Sequence, residues 1–300
     1  MMIKLLFMAS AFVFGSVAEI ETETKSDTQQ IVTSDTTVVD FWNGNRSLAR
    51  EEYEREVLEA VLRSTESDYG PWIIQETLDE YPGPEEGLVF SEKGHDLFVT
   101  IAGNRNFEEG DKIVIPELLT KNLLGYRVPI IREEDAAIFS AITEKEEIQQ
   151  LEHGIPLTWS DAVIFRENGY SVVEDGNFDN IFDRLSSGLF DYSAYGANEV
   201  LGIYENRASK REGLTVDHNI LFFYQFPLVF YVNPEMTELA GRIEVGMKNI
   251  IESGELDSIF DSYYGDIVEQ LNLDKRVLFI LDNPLIPDEF SDLKPDLENL

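Results

Sequence analysis

The 300-residue chain contains no cysteine. That excludes a disulfide framework, thiolate metal ligands, a cysteine nucleophile and a lipid-anchored cysteine after an export signal. Basic residues are scarce: 23 lysines and arginines face 58 aspartates and glutamates, a formal net charge of −35. Nucleic acid binding rests on basic patches that release counterions, so that function class is excluded. An anionic membrane surface would also repel the chain. The excess acid reads as solubility, with a cationic ligand as the sharper alternative. Exposed charges are screened within about 8 Å at physiological salt, so a pocket's own residues decide the charge of its ligand. The three histidines, His95, His153 and His218, stand in unrelated contexts and lack the H-E-x-x-H spacing of a zinc site. No G-x-S-x-G, phosphate loop, G-x-G-x-x-G or EF-hand loop occurs. With 58 acids some carboxylate pairs meet by chance, so they do not indicate a glycosidase. The expectation is therefore a protein without catalysis, metal or cofactor.

Long apolar runs are missing too, with one exception at the start. Lys4 is the only charge before Glu19, Leu5 to Val17 is almost wholly apolar, and Ser16-Val17-Ala18 suits signal peptidase. Residues 1–18 therefore read as a cleaved signal peptide, the alternative being an uncleaved anchor helix. The run is short against the ~20 residues that span a bilayer. Residues 19–30 form a polar, flexible leader. The 43% hydrophobic and 11% aromatic content fits a globular chain.

From Ile31 onward strands and helices alternate. Val38-Val39-Asp40-Phe41-Trp42 ends a first strand. Tyr53, Val57 and Val61, with Leu58 and Leu62 beside them, predict a helix over 51–69, stopped by Gly70-Pro71. Strands follow at 72–78 and 96–102, and extended segments at 113–115 and 126–131. The pattern restarts with an extended run at 155–159, a helix over 161–168, a strand at 171–173, a helix over 178–186 and a strand at 189–192. A further helix spans 199–208. Ile220 to Val232 is apolar with Pro227 inside, a strand pair or an edge strand. Asn233, Pro234 and Glu235 predict a helix start. Two apolar stripes follow, Leu239-Ile243-Met247-Ile250 and Leu256-Ile259-Phe260-Tyr263, and from Asp282 onward the chain looks loosely packed. Alternation of this kind implies parallel sheets with right-handed crossovers, here as two α/β units.

Four stretches resemble the type 2 periplasmic solute-binding proteins, in particular the polar-amino-acid class that serves ABC transporters. They are Glu85-Glu86-Gly87-Leu88-Val89-Phe90, Gly125-Tyr126-Arg127-Val128, Leu185 to Tyr192, and Asn249 to Phe260. The resemblance implies an α/β fold of two lobes joined by two crossing strands, near 130–137 and 227–232. Lobe one would hold 31–132 plus 227–290, lobe two 133–226, and 291–300 would be an acidic tail. It implies a monomeric receptor in the periplasm that closes on a small polar solute, an amino acid or similar. Its partner would be an ABC permease or a membrane sensor. A hydrolase or lytic transglycosylase on the same fold is the third alternative.

The resemblance also implies site residues. Phe41 and Trp42 would supply an aromatic wall, or else pack in the core. Arg105 would grip a carboxylate, with Arg127 and Arg132 as competitors. Thr158, Trp159 and Ser160 stand at a helix start in lobe two, where Ser160 or Asp161 caps the helix. Tyr195, Asn198 and Glu199 follow the Asp191 strand; Tyr195 stands where close relatives often show arginine, and Glu199 would take a cation or complement the helix dipole.

Overall fold

The structure is a computed structural model that describes residues 36–107 and 110–300. The expected signal peptide, leader and first residues of the first strand lie outside the described residues. Among the described residues no helix is long and apolar enough to cross a membrane.

The chain opens with β1 (Thr37–Trp42), α1 (Leu48–Ser64), α2 (Glu66–Tyr69), β2 (Trp72–Thr77), α3 (Gly83–Glu86), β3 (Leu97–Ile101) and β4 (Ile113–Ile115). It continues with β5 (Tyr126–Arg132), α4 (Ala136–Phe139), α5 (Lys145–Ile148), β6 (Glu152–Ile155), α6 (Asp161–Glu167), β7 (Ser171–Glu174) and α7 (Ile181–Ser186). Next come β8 (Tyr192–Gly196), α8 (Val200–Asn206), β9 (Leu214–Val216) and β10 (Ile220–Phe223). The last elements are β11 (Leu228–Val232), α9 (Thr237–Glu252), α10 (Glu255–Tyr264), α11 (Ile267–Leu271) and β12 (Val277–Ile280).

These strands make two sheets. The first has the order β2-β1-β3-β11-β4, with β1, β2 and β3 parallel and β11 antiparallel to both neighbours. The second runs β12-β10-β5-β8-β6-β7, with β9 beside β5. Each sheet, with the helices that cover it, is one lobe. Alternation along β1 explains how the first lobe is layered. Val39 and Phe41 face α1 and join the main core, while Trp42 faces the other way into a second cluster with Phe98, Phe107 and Tyr231. Tyr53, Val57, Val61 and Leu58 of α1 are buried in that core. The helices α9 and α10 pack on α1, so the late helices do cover the first lobe.

Several boundaries differ from the expectation. The helix expected over 51–69 starts at Leu48 and breaks at Thr65, whose hydroxyl donates back to the carbonyls of Val61 and Leu62. Buried Arg242 then takes over the open helix end, donating to the Leu62 and Gly70 carbonyls and to Thr65. The run expected to be extended over 155–159 pairs instead at Glu152–Ile155, because Pro156 cannot donate to the ladder. The strand expected at 189–192 lies at Tyr192–Gly196. Leu189 still closes the preceding helix through Arg184, and pairing begins only when the Asp191 N–H reaches the Glu152 carbonyl. The late helix starts at Thr237, since Asn233 forms a local turn with the N–H of Glu235.

The division between lobes also differs. β5 is a central strand of the second sheet, so the first crossing falls at 116–125 and the second at 224–227. The chain crosses twice more. After α10 it returns to the second sheet as β12, which pairs with β10. After β12 it passes back over the first lobe, where Phe290 is 4% exposed among Trp42, Phe98 and Tyr231. Gln225 holds this returning segment through the carbonyls of Ser291 and Leu293, and Tyr126 holds it through Asp296. The tail expected to be loose is therefore a packed strap. An amphipathic trio, Ile286, Phe290 and Leu293, outweighs its prolines and acids.

Candidate functional site

A cleft of about 680 Å³ opens between the two lobes. It is lined from the carboxyl ends of parallel strands in both sheets, the edge where open α/β sheets take ligands. In lobe one, Trp42 ends β1, Glu80 and Tyr81 follow β2, Ile101 ends β3, and Asn104 and Asn106 follow it. In lobe two, residues 156–161 follow β6, residues 176–179 follow β7, and Glu199 follows β8.

Three arginines reach this cleft and are nearly buried. Arg46, just before α1, and Arg50 in its first turn both bond Glu54, two turns and one turn further on. That carboxylate is fully buried, and two guanidiniums converge on it. Burial holds the Arg46 guanidinium below its ordinary range. Burial acts on Arg50 in the same sense, but Glu54 and Glu199 outweigh it and hold that group above. Arg127 projects from β5 and bonds Asp161 and the Leu124 carbonyl, while its Nε has no partner among the described residues. The Tyr224 hydroxyl donates to the same Asp161 at 2.6 Å. Burial alone would lower Arg127; the Asp161 carboxylate reverses that and raises it.

Two cleft carboxylates are less well matched. Glu86, at the end of α3, accepts from the side-chain amides of Asn104 and Asn106, each at 3.0 Å. Glu199 lies 4.0 Å from Arg127. Burial pushes both carboxyls up; the two amides oppose this at Glu86, and Arg50 and Arg127 oppose it at Glu199. Aromatic walls flank the charges. Tyr81 stacks on Trp42 with ring centroids 5.1 Å apart, and Trp159 meets Phe178 at 5.7 Å. The Arg207 guanidinium covers Phe178, 4.4 Å from its ring centre.

Of the residues singled out in the sequence, Trp42, Thr158, Trp159 and Glu199 line the cleft. The other four do not. Phe41 is fully buried under α1, on the opposite face of β1 from Trp42. Arg105 is exposed at the rim and pairs with Glu174 of the other lobe at 3.2 Å. Tyr195 sits inside β8, fully buried, accepting from Ser193 and backing Trp159 from behind. Asn198 is buried against Gly196, outside the lining. Among the competing arginines, Arg127 is in the cleft. Arg132 instead braces lobe two through Asp135, Asp191 and two carbonyls. Neither Ser160 nor Asp161 caps α6 with its side chain, because Asp161 is taken by Arg127 and Tyr224.

Arg46 and Arg50, at the start of α1, were the residues sequence reasoning missed. Their signal was present: Arg46, Arg50 and Glu54 recur every four residues, on one face of a helix whose apolar stripe contains their neighbours. Glu86 and Asp161 had no such signal, since their partners are distant in sequence.

Compared as a sequence, the chain matches no family model and no curated protein. Compared as a structure, it is similar to many solved proteins. One is an ancestral arginine-binding protein bound to arginine, 15% identical, covering 77% of this chain and 99% of that one with a TM-score of 0.54. Another is the probable amino-acid ABC transporter extracellular-binding protein of Bacillus subtilis, 14% identical, covering 77% and 98% with a TM-score of 0.56. A third is a histidine kinase sensor domain with similarity to periplasmic binding proteins, 14% identical, covering 77% and 96% with a TM-score of 0.53. At these identities the likeness is one of fold, and by fold the chain is a two-lobed α/β protein of the type 2 periplasmic-binding kind.

Proposed function

We propose that the chain captures a small polar solute, an amino acid or similar, in the cleft between its lobes and performs no chemistry on it. The observation that carries this is the lining itself: buried guanidiniums and carboxylates of both lobes face one cavity, flanked by aromatic rings. Such a lining suits a ligand with both charges and a short carbon frame. A carboxylate fits the Arg46 and Arg50 side, where two guanidiniums share one counter-ion. Contact from both lobes would favour the closed arrangement. The structural neighbours include amino-acid-binding and transporter-associated proteins, which supports the same reading and an extracytoplasmic location.

Delivery to an ABC permease in the periplasm, after removal of residues 1–18, completes this proposal. Presentation of the liganded form to a membrane sensor is the second reading, favoured by the sensor-domain neighbour. A thermal-shift panel of amino acids and related metabolites tests the binding. A true ligand at a hundredfold excess over its Kd adds about 2.7 kcal/mol, a rise of roughly 5 °C or more in Tm for a chain of this size. A broad panel without any rise overturns the proposal.

A further inference from the structure

The charges around the cleft do not cancel. Three nearly buried arginines, Arg46, Arg50 and Arg127, face four carboxylates, Glu54, Glu86, Asp161 and Glu199. Glu54 is satisfied by Arg46 and Arg50, and Asp161 by Arg127 and Tyr224. The rim pair of Arg207 and Asp179 is closed on itself at 2.8 Å. Apart from solvent-exposed Glu80, what is left is Glu86 from lobe one and Glu199 from lobe two. Among the described residues no lysine, arginine or histidine forms an ion pair with Glu86, which feels Arg46 and Arg50 only at a distance. Glu199 has a 4.0 Å approach from Arg127 and the more distant Arg50; all three arginines are committed to Glu54 or Asp161. Glu86 is nonetheless built in rather than stray. Asn104 and Asn106, both lining the cleft, hold one carboxylate oxygen each, and Asn104 is itself oriented by Thr100 at 2.9 Å.

We propose that the solute carries a net positive charge and that its cationic group is received by Glu86, with its two asparagine amides, and by Glu199 from the facing lobe. This rests on the solute-binding reading of the same cleft and names its substrate class: a cationic amino compound, such as a basic amino acid, in preference to a neutral or acidic one. An unpaired carboxylate in a cavity is costly, and a bound ammonium or guanidinium relieves that cost at both glutamates. Because they sit on different lobes, one cation between them links closure to charge. An anionic solute would add to the excess instead. Burial raises both carboxyls, and the arginines near them, Arg46 and Arg50 at Glu86 and Arg50 and Arg127 at Glu199, offset it only in part, so a bound cation would lower them further.

The test is titration of the full chain with L-lysine, L-arginine, L-glutamine and L-glutamate by calorimetry and thermal shift. The expected result is binding of a cationic member at least roughly tenfold tighter than glutamine, with glutamate weakest. Glu86→Gln and Glu199→Gln should each weaken the cationic ligand by about tenfold or more, and by more than they weaken glutamine. The wild-type comparison needs no variant and holds if either substitution fails to fold. Tighter binding of glutamine or glutamate overturns the charge assignment while leaving solute capture intact. No binding of any amino acid or metabolite overturns both.

Discussion

At the scale of single residues, the buried pair of Arg127 and Asp161 is the most exposed to mutation. Removing one partner leaves the other charged and without solvent, which costs about 3–5 kcal/mol. Asp161→Asn should therefore lower stability by that order in urea unfolding, whereas replacing both partners with apolar residues of similar size should cost less. Acidity acts in a definite direction at the two unmatched glutamates. Both have carboxyls raised above the ordinary 4.5 by burial. Their contribution to stability is complete below that value and is lost as pH rises through the raised folded values. Glu86→Gln, which resembles the protonated form at every pH, should thus raise Tm at pH 7, and the gain should shrink toward pH 4. A gain that grew on acidification would contradict this. Which of these residues meet was only partly legible in the sequence. The four-residue spacing of Arg46, Arg50 and Glu54 is local and could be read. Parity along β1 was also readable, and separates Phe41 from Trp42. The meeting of Arg127 with Asp161, or of Glu86 with Asn104, depends on which strands become neighbours, and no local pattern carries that.

At the scale of elements, helices with regular apolar stripes were the most legible, because burial on one face repeats within a few turns. α1, α9 and α10 all occur where their stripes predicted, with ends moved by side-chain bonds at Thr65 and Asn233. Short strands were less legible. β6 and β8 each lie a few residues from expectation, since edges set by proline or by a partner strand leave little periodicity. The returning strap was misread because its composition resembles a loose tail, while a few apolar side chains decide its packing. Its attachment can be tested. Phe290→Ala should cost about 3–5 kcal/mol, the range for a fully buried phenylalanine. Gly103 has φ +78°, and a Cβ there would collide with the Leu285 carbonyl. Gly103→Ala should therefore also destabilise the strap, through backbone strain and through that clash together. Limited proteolysis after β12 reads both effects, with faster cleavage as the expected outcome.

At the scale of the whole molecule, the ion pair of Arg105 and Glu174 ties the lobes together at the rim. Burial pushes the Glu174 carboxyl up, but hydrogen bonds from Arg166, the Thr158 N–H and Arg105 outweigh it and hold the group low. The contribution of a partly exposed pair is small, about 0.2–1 kcal/mol. Arg105→Ala should accordingly shift the balance between open and closed lobes by no more than about fivefold. X-ray scattering of the unliganded variant should show a slightly larger radius of gyration, with fold stability almost unchanged. An unaltered radius and unaltered ligand affinity would show that this contact does not govern closure.

The strap has a kinetic meaning as well. The aromatic cluster around Trp42 is begun by the opening strand and sealed only by Phe290, while the sheet that β10 belongs to gains its outer edge only from β12. Neither half can reach its final packing from its own continuous stretch of chain. Refolding must therefore wait for contacts between remote parts of the polypeptide, which slows the search and couples both halves into one late, shared step.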